Sequence, residues 1–229
     1  MWIDGDACPA HTYETVVVSI DPLMIYLRDF ITTSERQHLL NASRGRFQRA
    51  DFSRGYEKEN FDNDIRDASL VDIGDEDSVM NCIRQRAARF QGNCLDTRIE
   101  KTTIQTYAKN GHFTYHFDAF FDDIAADING NRISTFMLYL EAPEVGGGTS
   151  FPRIAVNIDP QDKCDIIECH HTGNGTVFWP SIGNGIFWMN LNKERRLHHD
   201  TWHAGLPVLS GVKTIVNIWS WSEGALFEK

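Results

Sequence analysis

The sequence lacks several features that would assign it to a membrane-spanning or nucleic-acid-binding class. It contains no run of about 18 consecutive apolar residues, the length that a membrane-spanning helix needs, so we expect no membrane partner. Basic residues are not in excess, because 22 Lys and Arg stand against 32 Asp and Glu, for a net charge of −10. Such a chain offers no electrostatic attraction for phosphate backbones, and we therefore expect no nucleic-acid partner.

Cysteines are few, and no leader sequence is evident. The first ten residues, MWIDGDACPA, lack a basic head followed by an apolar stretch, so we expect cytoplasmic localisation. The cysteines are odd in number and form no CxxC pair, which favours free thiols in a reducing compartment while leaving disulfides open. They are Cys8, Cys82, Cys94, Cys164 and Cys169.

What is present is the composition of a globular protein. The 229 residues are 41% hydrophobic and 24% charged, which suits one large domain over 1–229. We expect a mostly helical N-terminal support over 1–98, with a short strand at 16–20. A capping box of Ser34 and Gln37 predicts one helix. An acidic cluster at 75–77 precedes apolar residues at helical spacing and predicts a second helix packed on a sheet, with Val79, Cys82, Ile83, Ala87 and Phe90 on its apolar face.

The segment between the two predicted helices and the part of the chain after residue 98 have different sequence patterns. Residues 44–66, between the helices, are rich in charge without a clear period, which indicates an ordered loop or a lid. From 99 to 229, short β-branched and aromatic runs alternate with Gly, Asn, Pro and Asp, which predicts a mainly antiparallel jelly roll flanked by the helices. The predicted strands are Thr103–Tyr107, 132–140, 176–179, Gly185–Met189 and 213–221.

A histidine and an aspartate are the strongest candidates for metal ligands. His116 and Asp118 are two residues apart, so on a strand they would point to one face. His203 lies far enough downstream to sit on a strand that returns beside the first. Two imidazoles and one carboxylate leave three coordination positions open, which is the facial triad of non-heme Fe(II) oxygenases. The rival set of His198, Asp200 and His203 is too local to close one site without an irregular loop.

Lys213 is the candidate partner for an anionic ligand. It follows His203 by ten residues, across a Pro and Gly turn, at the head of the last predicted strand. If it points into the barrel, its buried ammonium needs an anion, and the metal would occupy Asp118. A dicarboxylate that chelates iron with one end and pairs with Lys213 at the other satisfies this need; the alternative is a solvated lysine at a turn.

These residues, taken in order, resemble the prolyl 4-hydroxylase group of Fe(II)/2-oxoglutarate dioxygenases. The similarity covers residues 100–221 and is carried by Tyr107, HFD at 116–118, YLEAPEVGGGTSFP at 139–152, HAGLPV at 203–208, Lys213 and Trp219. The resemblance implies a double-stranded β-helix with iron held by His116, Asp118 and His203. It also implies 2-oxoglutarate held by Lys213, Thr149 and Tyr107, with dioxygen as co-reactant and ascorbate as a candidate auxiliary reductant.

The substrate side departs from the family pattern. Phe113 and Trp221 stand where relatives acting on peptidyl proline often carry Tyr and His, whereas Arg132 matches a family arginine associated with substrate. With Trp219, these residues form our candidate substrate pocket. We expect hydroxylation of a prolyl or proline-like substrate, with a non-peptide small molecule or natural product as the alternative, and a non-catalytic metal-binding module as a third reading. A zinc site among the Cys and His residues of 157–175 is weakly indicated.

Overall fold

The structure is a computed structural model that describes residues 8–54, 57–59, 62–92, 98–121, 130–155, 164–169, 173 and 175–222. Seven short strands and two helices fill the described part of the first third. Their bounds are β1 Glu14–Ile20, β2 Leu23–Arg28, α1 Thr33–Ser43, β3 Gln48–Arg49, β4 Phe52–Arg54, β5 Glu57–Glu59, β6 Arg66–Asp67, β7 Ser69–Asp72 and α2 Ser78–Phe90.

The rest of the described chain is built from strands, and every strand predicted there is confirmed to within a residue at each end. The bounds are β8 Arg98–Ile99, β9 Thr103–Tyr107, β10 His112–His116, β11 Asn131–Glu141, β12 Val145–Gly146, β13 Thr149–Phe151, β14 Thr176–Phe178, β15 Gly185–Met189, β16 His203–Gly205, β17 Val208–Ser210 and β18 Lys213–Ser222.

Two antiparallel sheets form the jelly roll that the strand pattern predicts. The larger sheet has the order β1-β2-β15-β11-β18-β9-β7-β3, with β8 paired to β18, and the smaller sheet has the order β14-β13-β16-β10-β6. One apolar cluster contains side chains from both sheets, among them Tyr139 and Ile215 of the larger and Phe151 and Phe178 of the smaller. The sheets therefore face each other across a shared interior.

The helices cover the opposite face of the larger sheet. Asp77 caps α2, and the buried face of that helix packs with β11 and β18 in a second apolar cluster, as expected. The capping box of α1 is formed by Thr32 and Glu35 and not by Ser34 and Gln37. Both pairs fit the sequence pattern, but only Glu35 is also buried against a guanidinium, that of Arg86. Neither helix in the described residues is long and apolar enough to cross a membrane.

The expectation of a mostly helical first third is wrong. Strand residues outnumber helical ones there, because β1 and β2 extend the larger sheet by pairing with β15 and β7 pairs with β9. The 44–66 segment contains β3, which joins the same sheet beside β7, and the β4–β5 hairpin. These short strands carry no period of their own. β3 is defined by its pairing with β7, and β4 and β5 are defined by their pairing with each other.

The expectation of free thiols is also wrong. Cys8 is bonded to Cys82 of α2, and Cys164 is bonded to Cys169. The fifth cysteine, Cys94, lies outside the described residues. The second disulfide removes two of the thiolates that the zinc reading required, and the remaining candidates, His170 and His171, also lie outside the described residues.

Candidate metal centre and dicarboxylate pocket

The structure brings His116, Asp118 and His203 to one point. His116 ends β10 and lies opposite His203 on β16. Oδ1 of Asp118 is 3.6 Å from Nε2 of His116 and 3.8 Å from Nε2 of His203, and the three potential donor atoms lie within 4.8 Å of one another. Asp118 itself lies beyond the end of β10, where the chain bends. Its carboxylate lies on the same side as the His116 imidazole, as the spacing of two residues predicts.

Both imidazoles are oriented by their own backbone. Nδ1 of His116 is 2.7 Å from the carbonyl oxygen of Thr114, and Nδ1 of His203 is 2.9 Å from that of Thr201. When Nδ1 carries the proton that this carbonyl accepts, Nε2 presents a lone pair, which is the form a metal requires. Phe113 stacks on His116 with ring centroids 3.7 Å apart and restricts the rotation of the ring.

The electrostatics of the cluster favour cation binding at neutral pH. Burial opposes ionisation of Asp118, but the two imidazoles and Arg132 hold its pKa well below the usual range. Burial, reinforced by His116, lowers the pKa of His203 to about 4. The site therefore presents a neutral His203 imidazole, the Asp118 carboxylate and the His116 imidazole, and this donor set with open positions fits Fe(II).

Lys213 points into the interior, as predicted. It is 2% exposed, and its ammonium donates to Oγ1 of Thr149 at 3.3 Å. It also lies 5.6 and 5.8 Å from the ring centroids of Tyr107 and Tyr139. None of the carboxylates in the described chain pairs with it, and burial lowers its pKa to about 7. A buried ammonium with no carboxylate partner among the described residues is a candidate binding site for an anion.

The predicted substrate residues fall into two groups. Arg132 makes a bidentate pair with Glu100, with both contacts at 2.7 Å, and its guanidinium lies 3.9 Å from the Trp219 ring centroid. The indole N–H of Trp221 donates to the same Glu100 carboxylate at 2.6 Å, so this tryptophan keeps a polar contact. Phe113 lies apart from them, stacked on His116.

The rival metal set does not assemble in the structure. Nε2 of His198 lies 3.1 Å from a carboxylate oxygen of Asp21, and its Nδ1 accepts the backbone N–H of Asp200 in a short 3-10 turn. Of the rival set, only His203 belongs to the cluster described above. His198 therefore has a local capping role.

Sequence reasoning missed three residues of the site. Thr135 donates to Oδ2 of Asp118 at 2.7 Å, Tyr139 is 3.2 Å from Oγ1 of Thr149, and Glu100 joins Arg132 to Trp221. Strand alternation could have found the first two, because 135, 137 and 139 share one face of β11. Glu100 lies between β8 and β9, where no periodic signal exists.

Comparison with known proteins identifies the class. The model of the 2OG-Fe(II) oxygenase superfamily matches residues 102–221, just over half of the chain. The chain therefore belongs to the 2OG-Fe(II) oxygenase superfamily, a class of dioxygenases that use Fe(II) and 2-oxoglutarate. The match confirms the predicted dioxygenase family, its jelly-roll fold and its use of Fe(II) and 2-oxoglutarate.

Two curated relatives show which members of the superfamily this chain is similar to. The chain is 29% identical over 221 residues to the human prolyl 4-hydroxylase subunit alpha-3, covering 93% of this chain and 36% of that one. It is 28% identical over 219 residues to the Caenorhabditis elegans prolyl 4-hydroxylase subunit alpha-2, covering the same shares. The chain thus spans about a third of the length of the curated relatives it matches.

Solved structures share the fold. A viral collagen prolyl hydroxylase from Paramecium bursaria Chlorella virus 1, solved as a 2OG complex, superposes with a TM-score of 0.63 at 24% identity, covering 95% of this chain and 99% of that one. A Trichoplax adhaerens prolyl hydroxylase, solved with a hypoxia inducible factor peptide fragment, superposes with a TM-score of 0.61 at 15% identity, covering 90% and 87%.

Proposed function

We propose that this chain is an Fe(II)/2-oxoglutarate-dependent hydroxylase of the prolyl 4-hydroxylase type. The observation that carries the proposal is the pairing of two features in one interior: a converged cluster of two imidazoles and a carboxylate, and the buried ammonium of Lys213, which has no described carboxylate partner. One ligand with two acidic ends satisfies both. A metal-storage site would need only the first feature.

His116, Asp118 and His203 would hold the iron, and Lys213 with Thr149 and Tyr107 would hold the far carboxylate of 2-oxoglutarate. With both bound, the reaction takes up one dioxygen, releases carbon dioxide and succinate, and places the second oxygen atom on a substrate carbon as hydroxyl. The protein orients these groups and excludes water from them. Phe151 and Trp188 shield His203, with ring centroids 5.2 and 5.0 Å from its ring.

We infer that the substrate is a prolyl residue in a peptide. The named functions of the relatives support this class. The Glu100, Arg132 and Trp221 cluster supports it as well, because a paired carboxylate and guanidinium beside Trp219 suit the amide groups of a backbone. The second candidate is a non-peptide small molecule, favoured by Phe113, whose apolar ring lies against His116.

The test is product formation under defined conditions. Purified protein receives Fe(II), 2-oxoglutarate and oxygen, and succinate is measured with proline-rich peptides, free proline or a metabolite extract, while mass spectrometry follows the addition of one oxygen atom. We expect succinate coupled to peptide hydroxylation. Coupling only to a metabolite would support the second candidate. Succinate no higher than that of a His203→Ala control in every mixture would overturn the enzyme assignment and leave a metal-binding module.

We also propose that the chain works in an oxidising compartment, in place of the cytoplasm that the sequence favoured. The disulfides Cys8–Cys82 and Cys164–Cys169 support this proposal, because such bonds persist where thiols are not kept reduced. Alkylation of the native protein without reductant, followed by mass spectrometry, should leave these four cysteines unmodified. Modification of all four would restore the cytoplasmic reading.

A further inference from the structure

The two oxygens of the Asp118 carboxylate have different environments. Oδ1 faces the Nε2 atoms of both histidines, at 3.6 and 3.8 Å. Oδ2 is the oxygen farther from the two imidazoles and accepts a hydrogen bond from the hydroxyl of Thr135 at 2.7 Å. Thr135 is fully buried on the interior face of β11. Its single hydroxyl hydrogen is therefore committed to the oxygen farther from the histidines.

Asn190 fixes the direction of that hydroxyl. It is fully buried just after β15, and its side-chain N–H donates to Oγ1 of Thr135 at 2.9 Å. Its backbone N–H donates to the Ile133 carbonyl and its backbone carbonyl accepts the His198 N–H, both at 2.8 Å, so the main chain of Asn190 is held on both sides of its Cα. With a lone pair of Oγ1 occupied by the amide, the threonine hydrogen points to the carboxylate.

The amide of Asn190 keeps this orientation at a cost. Its Oδ1 is buried and has no hydrogen-bond partner among the described residues. Turning the amide over would place an acceptor against Oγ1, and the one hydroxyl hydrogen of Thr135 would then be shared between two acceptors. The charged carboxylate is the stronger acceptor, so the observed orientation serves Asp118.

We infer that Thr135 and Asn190 are positioning residues that hold Asp118 to a single metal-binding oxygen. A carboxylate with both oxygens free can chelate a metal and take a second coordination position. With Oδ2 hydrogen-bonded to Thr135, Oδ1 would be the oxygen that binds the metal, and the positions needed by the diacid and dioxygen would stay open. This inference rests on the metal-site part of the proposed function and is independent of the substrate.

Packing alone does not explain why residue 135 carries a hydroxyl group. Valine has nearly the shape of threonine and would fill the same buried position without a polar atom to satisfy. Thr176 offers a matched control, because it is also buried and its hydroxyl donates at 2.7 Å to a backbone carbonyl, that of Ile154, instead of to the metal carboxylate. The two threonines therefore differ in the acceptor of their hydroxyl hydrogen bond, which is the Asp118 carboxylate for Thr135 and a backbone carbonyl for Thr176.

The test compares Thr135→Val, Thr135→Ser, Asn190→Leu and Thr176→Val with the wild type. For each protein we would measure the Co(II) dissociation constant, the affinity of the Co(II)-loaded protein for 2-oxoglutarate, and the thermal midpoint of the metal-free protein. We expect Thr135→Val to weaken 2-oxoglutarate binding to the Co(II)-loaded protein about 10- to 100-fold, because the freed Oδ2 can take the coordination position that the diacid needs. Thr135→Ser should return to within about threefold of wild type, because its hydroxyl is retained, and Thr176→Val should bind both ligands normally.

Asn190→Leu tests the second link of the relay. It should weaken binding in the wild-type background but add nothing to Thr135→Val, because the amide acts only through the threonine hydroxyl. Wild-type affinities in Thr135→Val, or equal defects in the Ser and Val variants, would overturn the inference. If Thr135→Val does not fold, the Ser and Asn190→Leu comparison decides alone. Failure of the wild type to bind Co(II) would instead overturn the proposed metal centre.

Discussion

The two faces of the larger sheet are built from alternate residues of the same strands, yet they differ in what they bury. On β11, Phe136 and Leu138 point to the helices and join an apolar cluster with α1 and α2. Their neighbours Thr135 and Tyr139 point to the interior, where they contact Asp118 and Thr149. One face supplies packing and the other supplies the functional groups, so a single strand contributes to both stability and chemistry.

Two of the buried cations, one on each face, illustrate this contrast. On the helix face, Arg86 donates to both carboxylate oxygens of Glu35, at 2.6 and 3.1 Å, and to the Phe30 carbonyl at 2.6 Å. On the interior face, Lys213 donates only to Thr149 among the described residues. The first cation is neutralised within the fold and holds it together. The second has no carboxylate partner among the described residues, and we propose that a ligand supplies one.

Removal of the metal carboxylate should have the largest effect. We expect Asp118→Ala to lose Co(II) and Fe(II) binding at neutral pH, because imidazole ligands supply no negative charge to offset that of the metal. Metal content of the purified protein measures this. Asp200→Ala, from the rival set, is the control and should retain one ion per chain; the reverse pattern would move the site to His198.

A core substitution on the helix face should affect stability but not the site. Phe136 is fully buried and its ring packs against Phe30, Phe90 and Phe187. Phe136→Ala should lower the free energy of unfolding by about 3–5 kcal/mol, measured by urea denaturation. Co(II) affinity measured well below the midpoint should match that of the wild type. A parallel loss of affinity would show that the two faces are not independent.

Replacement of the unpaired cation should separate stability from binding. Lys213→Met removes a buried ammonium and should raise the stability of the ligand-free protein by about 1–4 kcal/mol. The same change should weaken 2-oxoglutarate binding at least about tenfold, because a charge-assisted contact is lost. Thermal melts with and without 2-oxoglutarate measure both. Lys101→Met, at a surface lysine paired with Asp72, should change neither. A destabilised Lys213→Met protein would contradict the comparison.

Cosubstrate binding should depend on pH through Lys213. Its pKa of about 7 in the ligand-free protein means that the ammonium is increasingly neutral above pH 7. Tyr107 and Tyr139, which face it, stay protonated because burial raises their pKa values. A bound carboxylate favours the charged form, so binding takes up a proton and affinity should fall with rising pH, by up to about tenfold per unit. Calorimetry in buffers of different ionisation enthalpy detects the proton, and pH-independent affinity would contradict this linkage.

Much of the interior face could be predicted from sequence. Long β-branched runs such as β11 and β18 can be recognised as strands from their own residues. The order of the histidines, aspartate and lysine resembles that of a known family closely enough to indicate the site. The bend at Asp118 could not be predicted, because it depends on contacts made after the strand ends. Asn131 makes these contacts: its amide accepts from the Phe120 N–H and donates to the Phe120 carbonyl.

The secondary structure of the first third was harder to predict from sequence for a related reason. β3, β6 and β7 are two to four residues long and exist because they pair with strands from elsewhere in the chain. No local window contains that information. The helix start was likewise ambiguous between Thr32 and Ser34, and the buried pair of Glu35 with Arg86 from α2 favours the former. Tertiary contacts therefore determined these short strands and the start of α1, which local sequence propensity did not specify.

The most direct measurement is anomalous diffraction from crystals grown under argon with Mn(II) and 2-oxoglutarate. Our account predicts one anomalous peak bonded to Nε2 of His116, Oδ1 of Asp118 and Nε2 of His203, with diacid density running from that ion to the Lys213 ammonium. A peak at any other donor set, or a diacid whose far end avoids Lys213, would contradict it.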